Sequence, residues 1–216
     1  HEGGRRWMNV SHVVQMLAAH RVTRVSLLGG SRERTDVHDL ALLLLEGARM
    51  PGHARKQMAN KIGKTRTRVT FRLRYSWISH VVPGNLSAMP WMLDQPLDLD
   101  FVHLEKPGVE HLEGLCDPPH HLRHLILVAG RFPKALTNFT ETVTECLQWV
   151  RQRCSSNRFI VMARDTPAAH ALCYTHQKED WPAISSWLIE RINQVMKATA
   201  QQLRIPYLEG AYEMTL

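Results

Sequence analysis

The strongest constraint on the fold of this chain is the order in which its apolar residues change period. Arg24 to Leu28 is a short apolar run closed by Gly29-Gly30, which reads as a buried strand and a tight turn. From Ser31 to about Arg49 the spacing becomes helical, with Val37, Leu40, Ala41, Leu44 and Leu45 on one stripe. Gly47 and Pro51-Gly52 mark the end of that helix. A short helix over Val13 to Ala19 precedes this unit. Val69 to Leu73 alternates apolar and basic residues, as a half-exposed strand does. Prolines punctuate the middle of the chain, where Leu97 to Leu104 reads as a further strand. The pattern then repeats. Leu122 to Ala129 is a strand ending at Gly130. A helix follows, carrying Phe139, Val143, Leu147 and Val150, and Arg158 to Ala163 is the next strand. The last helix runs from about Trp181 to Leu203, with Pro182 in its first turn, and Ile205 to Leu208 is a short final strand.

Such alternation predicts an α/β three-layer sandwich: a mostly parallel sheet with helices on both faces. The 216 residues suit a single domain spanning 1–216. With 44% hydrophobic and 22% charged residues, the composition excludes a disordered or fibrous chain. No apolar run approaches the roughly 20 residues of a membrane helix; the longest, Leu40 to Leu45, continues a helical pattern. The first residue is His1, so the expectation is that the true N-terminus lies upstream.

In folds of this type, sites lie beyond the carboxyl ends of the strands. That rule selects Gly29-Gly30-Ser31, Gly130-Arg131-Phe132 and the residues after Met162. Ser31 sits where the first strand turns into a helix. Two glycines leave little bulk around its hydroxyl. A helix start offers unpaired N–H groups and a positive dipole end, both suited to an oxyanion. A serine that merely caps the helix has the same signature. The motif is not G-x-S-x-G, and neither G-x-x-x-x-G-K-[ST] nor G-x-G-x-x-G is present, so a nucleotide site lacks its usual glycines. Arg32 and Arg34 fit a solvated helix start.

The net charge of +7 is unevenly spread. Between Gly47 and Leu93 there are nine Lys/Arg and no Asp/Glu, among them Arg66, Arg68, Arg72 and Arg74. The rest of the chain holds 18 basic residues against 20 acidic ones. This is a near-neutral domain with one basic segment. That segment is the candidate surface for an anionic partner, whether phosphate, acidic sugar or acidic protein. A solvated strand and loop face is the plainer reading.

His120, His121 and His124 cluster before a strand, with His103 and His111 upstream. Pro118-Pro119 argues against the helix on which such spacing would converge on a metal, so they read as surface or loop histidines, and no metal or cofactor is expected. Asp117-Pro-Pro-His120 has D-x-x-H spacing but lies mid-chain and reads as coincidence. Cys116, Cys146, Cys154 and Cys173 form no CxxC. Cys146 and Cys154 lie on one helix and are poor mutual partners, so the cysteines read as small buried apolar residues. Three of six asparagines stand in glycosylation sequons: Asn9-Val-Ser11, Asn85-Leu-Ser87 and Asn138-Phe-Thr140. These favour a secretory compartment.

Leu27-Leu-Gly-Gly-Ser31 followed by a helix resembles block I of the SGNH (GDSL-like) hydrolases, in particular the branch containing the PC-esterase and NXPE-type C-terminal domains. Leu127-Val-Ala-Gly130 resembles the third block of that family. Arg158-Phe-Ile-Val-Met-Ala-Arg-Asp-Thr-Pro-Ala-Ala-His170 is similar to the branch's strand and T-x-P-like turn. Trp187 to Leu216 looks like the helix and strand that lead towards its last block. The resemblance covers most of the chain in order. It implies a flavodoxin-like three-layer sandwich and serine esterase or O-acyltransferase chemistry on acylated carbohydrate or related esters. Ser31 would be nucleophile and oxyanion donor through its own N–H, and Gly130 would supply a second oxyanion N–H. It also implies a Golgi or other secretory lumen. Gly30 replaces the block I Asp, and Phe132 stands where a polar oxyanion residue is expected. The chain stops at Leu216, before the family's D-x-x-H block. Either that catalytic block lies beyond residue 216, or the domain is an inactive scaffold that contacts an anionic partner through residues 47–93.

Overall fold

The computed structural model describes residues 10–45, 52, 68–78, 90–104, 112, 114–116, 122–129, 136–166 and 186–209. Helix α1 (Val10–Ala19) leads into β1 (Val22–Gly29) and α2 (Ser31–Leu45). Strand β2 (Arg68–Arg74) runs into the single turn α3 (Tyr75–Ile78), and the short α4 (Pro90–Leu93) precedes β3 (Pro96–His103). Then come β4 (Arg123–Ala129), α5 (Leu136–Arg153), β5 (Phe159–Arg164), α6 (Ser186–Gln202) and the two-residue β6 (Tyr207–Leu208). The expected alternation holds along the whole described chain. Strand β3 begins one residue earlier than its apolar run because Pro96 pairs with Arg74.

The six strands lie in the order β2-β3-β1-β4-β5-β6. All are parallel except β2, which runs antiparallel to β3 on the edge. Strand β1 is buried on both faces and β4 largely so, which is why both read as near-continuous apolar runs. Strand β2 is different. Phe71 and Leu73 are fully buried while Arg72 and Arg74 are exposed, the period-two pattern of an edge strand.

Two cores result. On one face α1 and α2 bring Val14, Leu17, Val37, Ala41 and Leu44 against Val25, Leu27, Leu99 and Phe101. On the other face α5 and α6 bring Val143, Leu147, Val150, Ile192 and Met196 against Leu28, Val102, Ile126 and Val128. Val25 and Leu27 of β1 serve the first core and Leu28 the second, as pleating requires. This is the three-layer α/β arrangement. Tyr75 ties the edge to the first layer: its buried hydroxyl donates to the Val22 carbonyl at 2.6 Å.

Without its antiparallel edge, the sheet has the order β3-β1-β4-β5-β6, the 2-1-3-4-5 pattern of doubly wound sheets. The chain leaves β1 for a helix on one face and β4 for a helix on the other. The crevice between the carboxyl ends of β1 and β4 is therefore the switch point.

The cysteine reading needs correction. Cys116 and Cys154 form a disulfide with a Cα–Cα distance of 5.2 Å, joining the turn before β4 to the end of α5. Only the tertiary fold brings together residues 38 apart in sequence. Cys146 does behave as a small buried apolar residue, and burial pushes its thiol up to about 12. Cys173 lies outside the described residues. Among the described residues, no helix is long and apolar enough to cross a membrane.

Candidate functional site

The turn from β1 into α2 is built around Glu33. Gly30 precedes the first helical residue, Ser31, and its carbonyl accepts the first helical bond from the Arg34 N–H at 3.3 Å. Glu33 is then the third helical residue. Its carboxylate folds back and accepts from the Gly30 N–H at 2.6 Å. This is the glutamate half of a capping box, with glycine at the cap position. The fold-back explains Gly29. A Cβ placed there would stand 2.5 Å from Glu33 Oε2 and 2.6 Å from its Cδ.

Arg164 completes the arrangement from two strands away. It ends β5, and its guanidinium donates to Glu33 Oε1 at 3.1 Å and to Asp36 Oδ2. Glu33 is 2% exposed and the Arg164 side chain 20%, so the link runs partly inside the protein. It ties the carboxyl end of β5 to the first turn of α2. Burial pushes the Glu33 carboxyl above the ordinary range, against the pull of Arg164 and the backbone N–H groups. For Arg164, burial pulls downward, but Asp36 and Glu33 outweigh it and hold the guanidinium more firmly protonated. One guanidinium serves two carboxylates, so the cluster carries a formal negative excess. A phosphate at this helix start would meet a carboxylate already on the Gly30 N–H, so the glycine turn is not a vacant anion cradle.

Past β5 the chain is clamped again. The Thr166 N–H donates to Asn193 Oδ1 at 2.7 Å, and Asn193 Nδ2 donates to the Thr166 carbonyl at 3.0 Å. A side-chain amide of α6 thus mimics a neighbouring strand and fixes the direction in which the chain leaves the sheet. Tyr207 supports the clamp by donating to the Asn193 carbonyl at 3.3 Å.

The two ends of the sheet differ in kind. At the amino half, on the α5/α6 face, His124 Nε2 lies 2.8 Å from Ser26 Oγ, and Ser26 Oγ lies 3.2 Å from Asp100 Oδ2. Arg24 binds the same carboxylate oxygen and donates to the Gly114 carbonyl at 3.3 Å. Asp100, paired with Arg24, acts as acceptor. Ser26 therefore donates to Asp100 and accepts from the His124 Nε2–H. The set contains Ser, His and Asp, yet it is not a nucleophilic triad. Serine rather than histidine is the middle member, and all three are fully buried. The reading of His124 as a surface or loop residue is corrected here. It is a fully buried strand residue whose Nε2 meets Ser26 inside the sheet.

The predicted site residues fall as follows. Ser31 is the first residue of α2, beside the switch point. Gly130, Phe132, Arg66, Asp117, His120 and His121 lie outside the described residues. Arg68, Arg72 and Arg74 all lie on β2, and Arg72 and Arg74 are exposed. Arg72 binds Asp98 of β3 through both carboxylate oxygens, each at 2.9 Å. That hydrogen bonding holds its guanidinium more firmly protonated. No group of three or more His, Cys, Asp or Glu able to hold a metal ion occurs among the described residues. Sequence reasoning missed Glu33, Asp36, Arg164 and Asn193. The Gly30-x-x-Glu33 spacing was a readable signal for the first. The other three acquire their roles only across the fold.

Comparison of the sequence with protein-family models and with curated proteins finds no match.

Proposed function

We propose that this domain is an SGNH-like serine esterase or O-acyltransferase acting on acylated carbohydrate or related esters. One observation carries the reading: Ser31 opens α2 directly after β1, at the switch point of a doubly wound sheet. In this mechanism Ser31 Oγ attacks the acyl carbonyl and yields its proton to the histidine of the family's D-x-x-H block, which passes it to the sugar oxygen as the ester C–O bond breaks. The N–H groups of Ser31 and Gly130 hold the oxyanion, at the positive end of α2. Glu33 and Arg164 do not touch the substrate. They fix the angle at which the turn meets the helix, and so position the serine. The test is fluorophosphonate labelling of the full-length protein, with hydrolysis of a panel of O-acetylated sugars. Labelling at Ser31, and loss of hydrolysis in Ser31→Ala, is the expected result. Hydrolysis unchanged in Ser31→Ala refutes the reading.

A second reading is favoured by the edge position of β2, where Arg72 and Arg74 are exposed on one face. Here the domain is an inactive scaffold, and residues 47–93 contact an anionic partner. Arg72 already has Asp98, so Arg66, Arg68 and Arg74 carry the contact. Charge reversal at these three abolishes partner capture under this reading. Capture that survives the reversal removes it.

A further inference from the structure

Asn138-Phe-Thr140 is the one sequon whose asparagine lies among the described residues, and it lies in the first turn of α5. Its row on that helix can be read from the rest of the helix. At 3.6 residues per turn, positions 138, 141, 145, 148 and 152 share a row. Glu141, Glu145, Gln148 and Gln152 of that row are all exposed. The buried row is Val143, Cys146, Leu147, Val150 and Cys154, which faces the sheet. By helical register, position 138 falls on the same row as these four residues.

An independent observation bears on the compartment. The same helix ends in the Cys116–Cys154 disulfide, and such bonds form and persist in oxidising environments, among them the lumen in which asparagine glycosylation takes place. Sequon, outer row and disulfide all fall on α5 or its end.

We infer that Asn138 is an N-glycosylation site and that the chain matures in an oxidising secretory lumen. The donor is an oligosaccharide carried on a polyprenyl pyrophosphate. A bond forms between Asn138 Nδ2 and the anomeric carbon of the sugar. The bond from that carbon to the pyrophosphate oxygen breaks, and the pyrophosphate leaves with the electron pair. The amide nitrogen loses one proton to a base of the transferase, so no oxidation or reduction occurs. Thr140 completes the acceptor sequence. The inference is independent of Ser31 and its chemistry.

The test is site occupancy in the full-length protein expressed in eukaryotic cells. Deglycosylation with an amidase in heavy-oxygen water converts an occupied asparagine to labelled aspartate, read by peptide mass spectrometry. The expected result is labelled Asp at position 138, with a mobility shift on amidase treatment that shrinks in Asn138→Gln. Thiol alkylation before reduction leaves Cys116 and Cys154 unmodified. An Asn138 peptide recovered wholly at its unmodified mass overturns the assignment, whatever the state of Asn9 and Asn85. Free thiols at Cys116 and Cys154 in the folded protein overturn the compartment.

Discussion

Replacing Gly29 with alanine tests the architecture of the β1–α2 turn. The backbone at Gly29 is not in the left-handed region, so alanine is permitted there conformationally. What the methyl meets is the Glu33 carboxyl, at 2.5 to 2.6 Å. Those atoms end a flexible side chain and can swing away, so the steric cost alone is small. The cost lies in what the carboxyl leaves behind. It gives up the Gly30 N–H and the Arg164 guanidinium, both bound in a site only 2% exposed at Glu33. Breaking such a buried charged pair costs about 3–5 kcal/mol. Urea denaturation of four proteins measures it: wild type, Gly29→Ala, Glu33→Ala and the double variant. In wild type the substitution should cost about 3 kcal/mol or more. In the Glu33→Ala background nothing remains for the methyl to displace, and the cost should fall to about 0.5 kcal/mol or less, typical of a neutral substitution. An equal loss in both backgrounds refutes the fold-back as the reason for glycine at this position.

Four further outcomes are expected. Because burial raises the folded-state pKa of Glu33 above 4.5, the folded protein holds that proton more tightly than the unfolded chain. The resulting stabilisation is full below the ordinary glutamate value and is lost as pH rises through the raised one. Urea midpoints of wild type minus Glu33→Gln should therefore decline as pH rises across that window, and a flat difference contradicts the burial argument. Cys154→Ser opens a 38-residue loop, for which the chain-entropy model gives a loss of about 4 kcal/mol; Cys146, its thiol pushed up to about 12 by full burial, should resist iodoacetamide until the chain is unfolded. Arg204, two residues past α6, has φ 54°, and the Arg204 and Ile205 N–H groups return to the Gln201 and Ala200 carbonyls in a Schellman arrangement. Arg204→Gly relieves the left-handed penalty of about 1 kcal/mol, and calorimetry should record a Tm higher by about 2–4 °C.

Local physics and tertiary accident divide cleanly at the two polar centres. Glu33 is three residues from the cap it closes, so Gly30-x-x-Glu33 is a helix-start signal that can be read without a fold. Arg164 is another matter. It stands 131 residues from Glu33, and in sequence it is one arginine among many after an apolar run. Its role depends on how far β5 lies from α2, which strand order alone decides. His124 illustrates the opposite hazard. Beside Pro118-Pro119, His120 and His121 it looked like a loop residue, but the apolar run it adjoins is a central strand, and Ser26 waits on the neighbouring one. The cysteines behave likewise, since the partner of Cys154 is not its helical neighbour Cys146 but a residue in the turn before β4.

By itself the sequence determined the element types and the layer count, because apolar period and turn residues act within a few positions and each strand or helix must hide its own apolar face. It also determined that the excess of positive charge comes from one segment. The tertiary structure alone decided that β2 is an antiparallel edge, that the strand order places the switch point between β1 and β4, and which buried charges meet across the sheet. Those outcomes follow from long-range pairing and close packing, which no local window of the chain encodes.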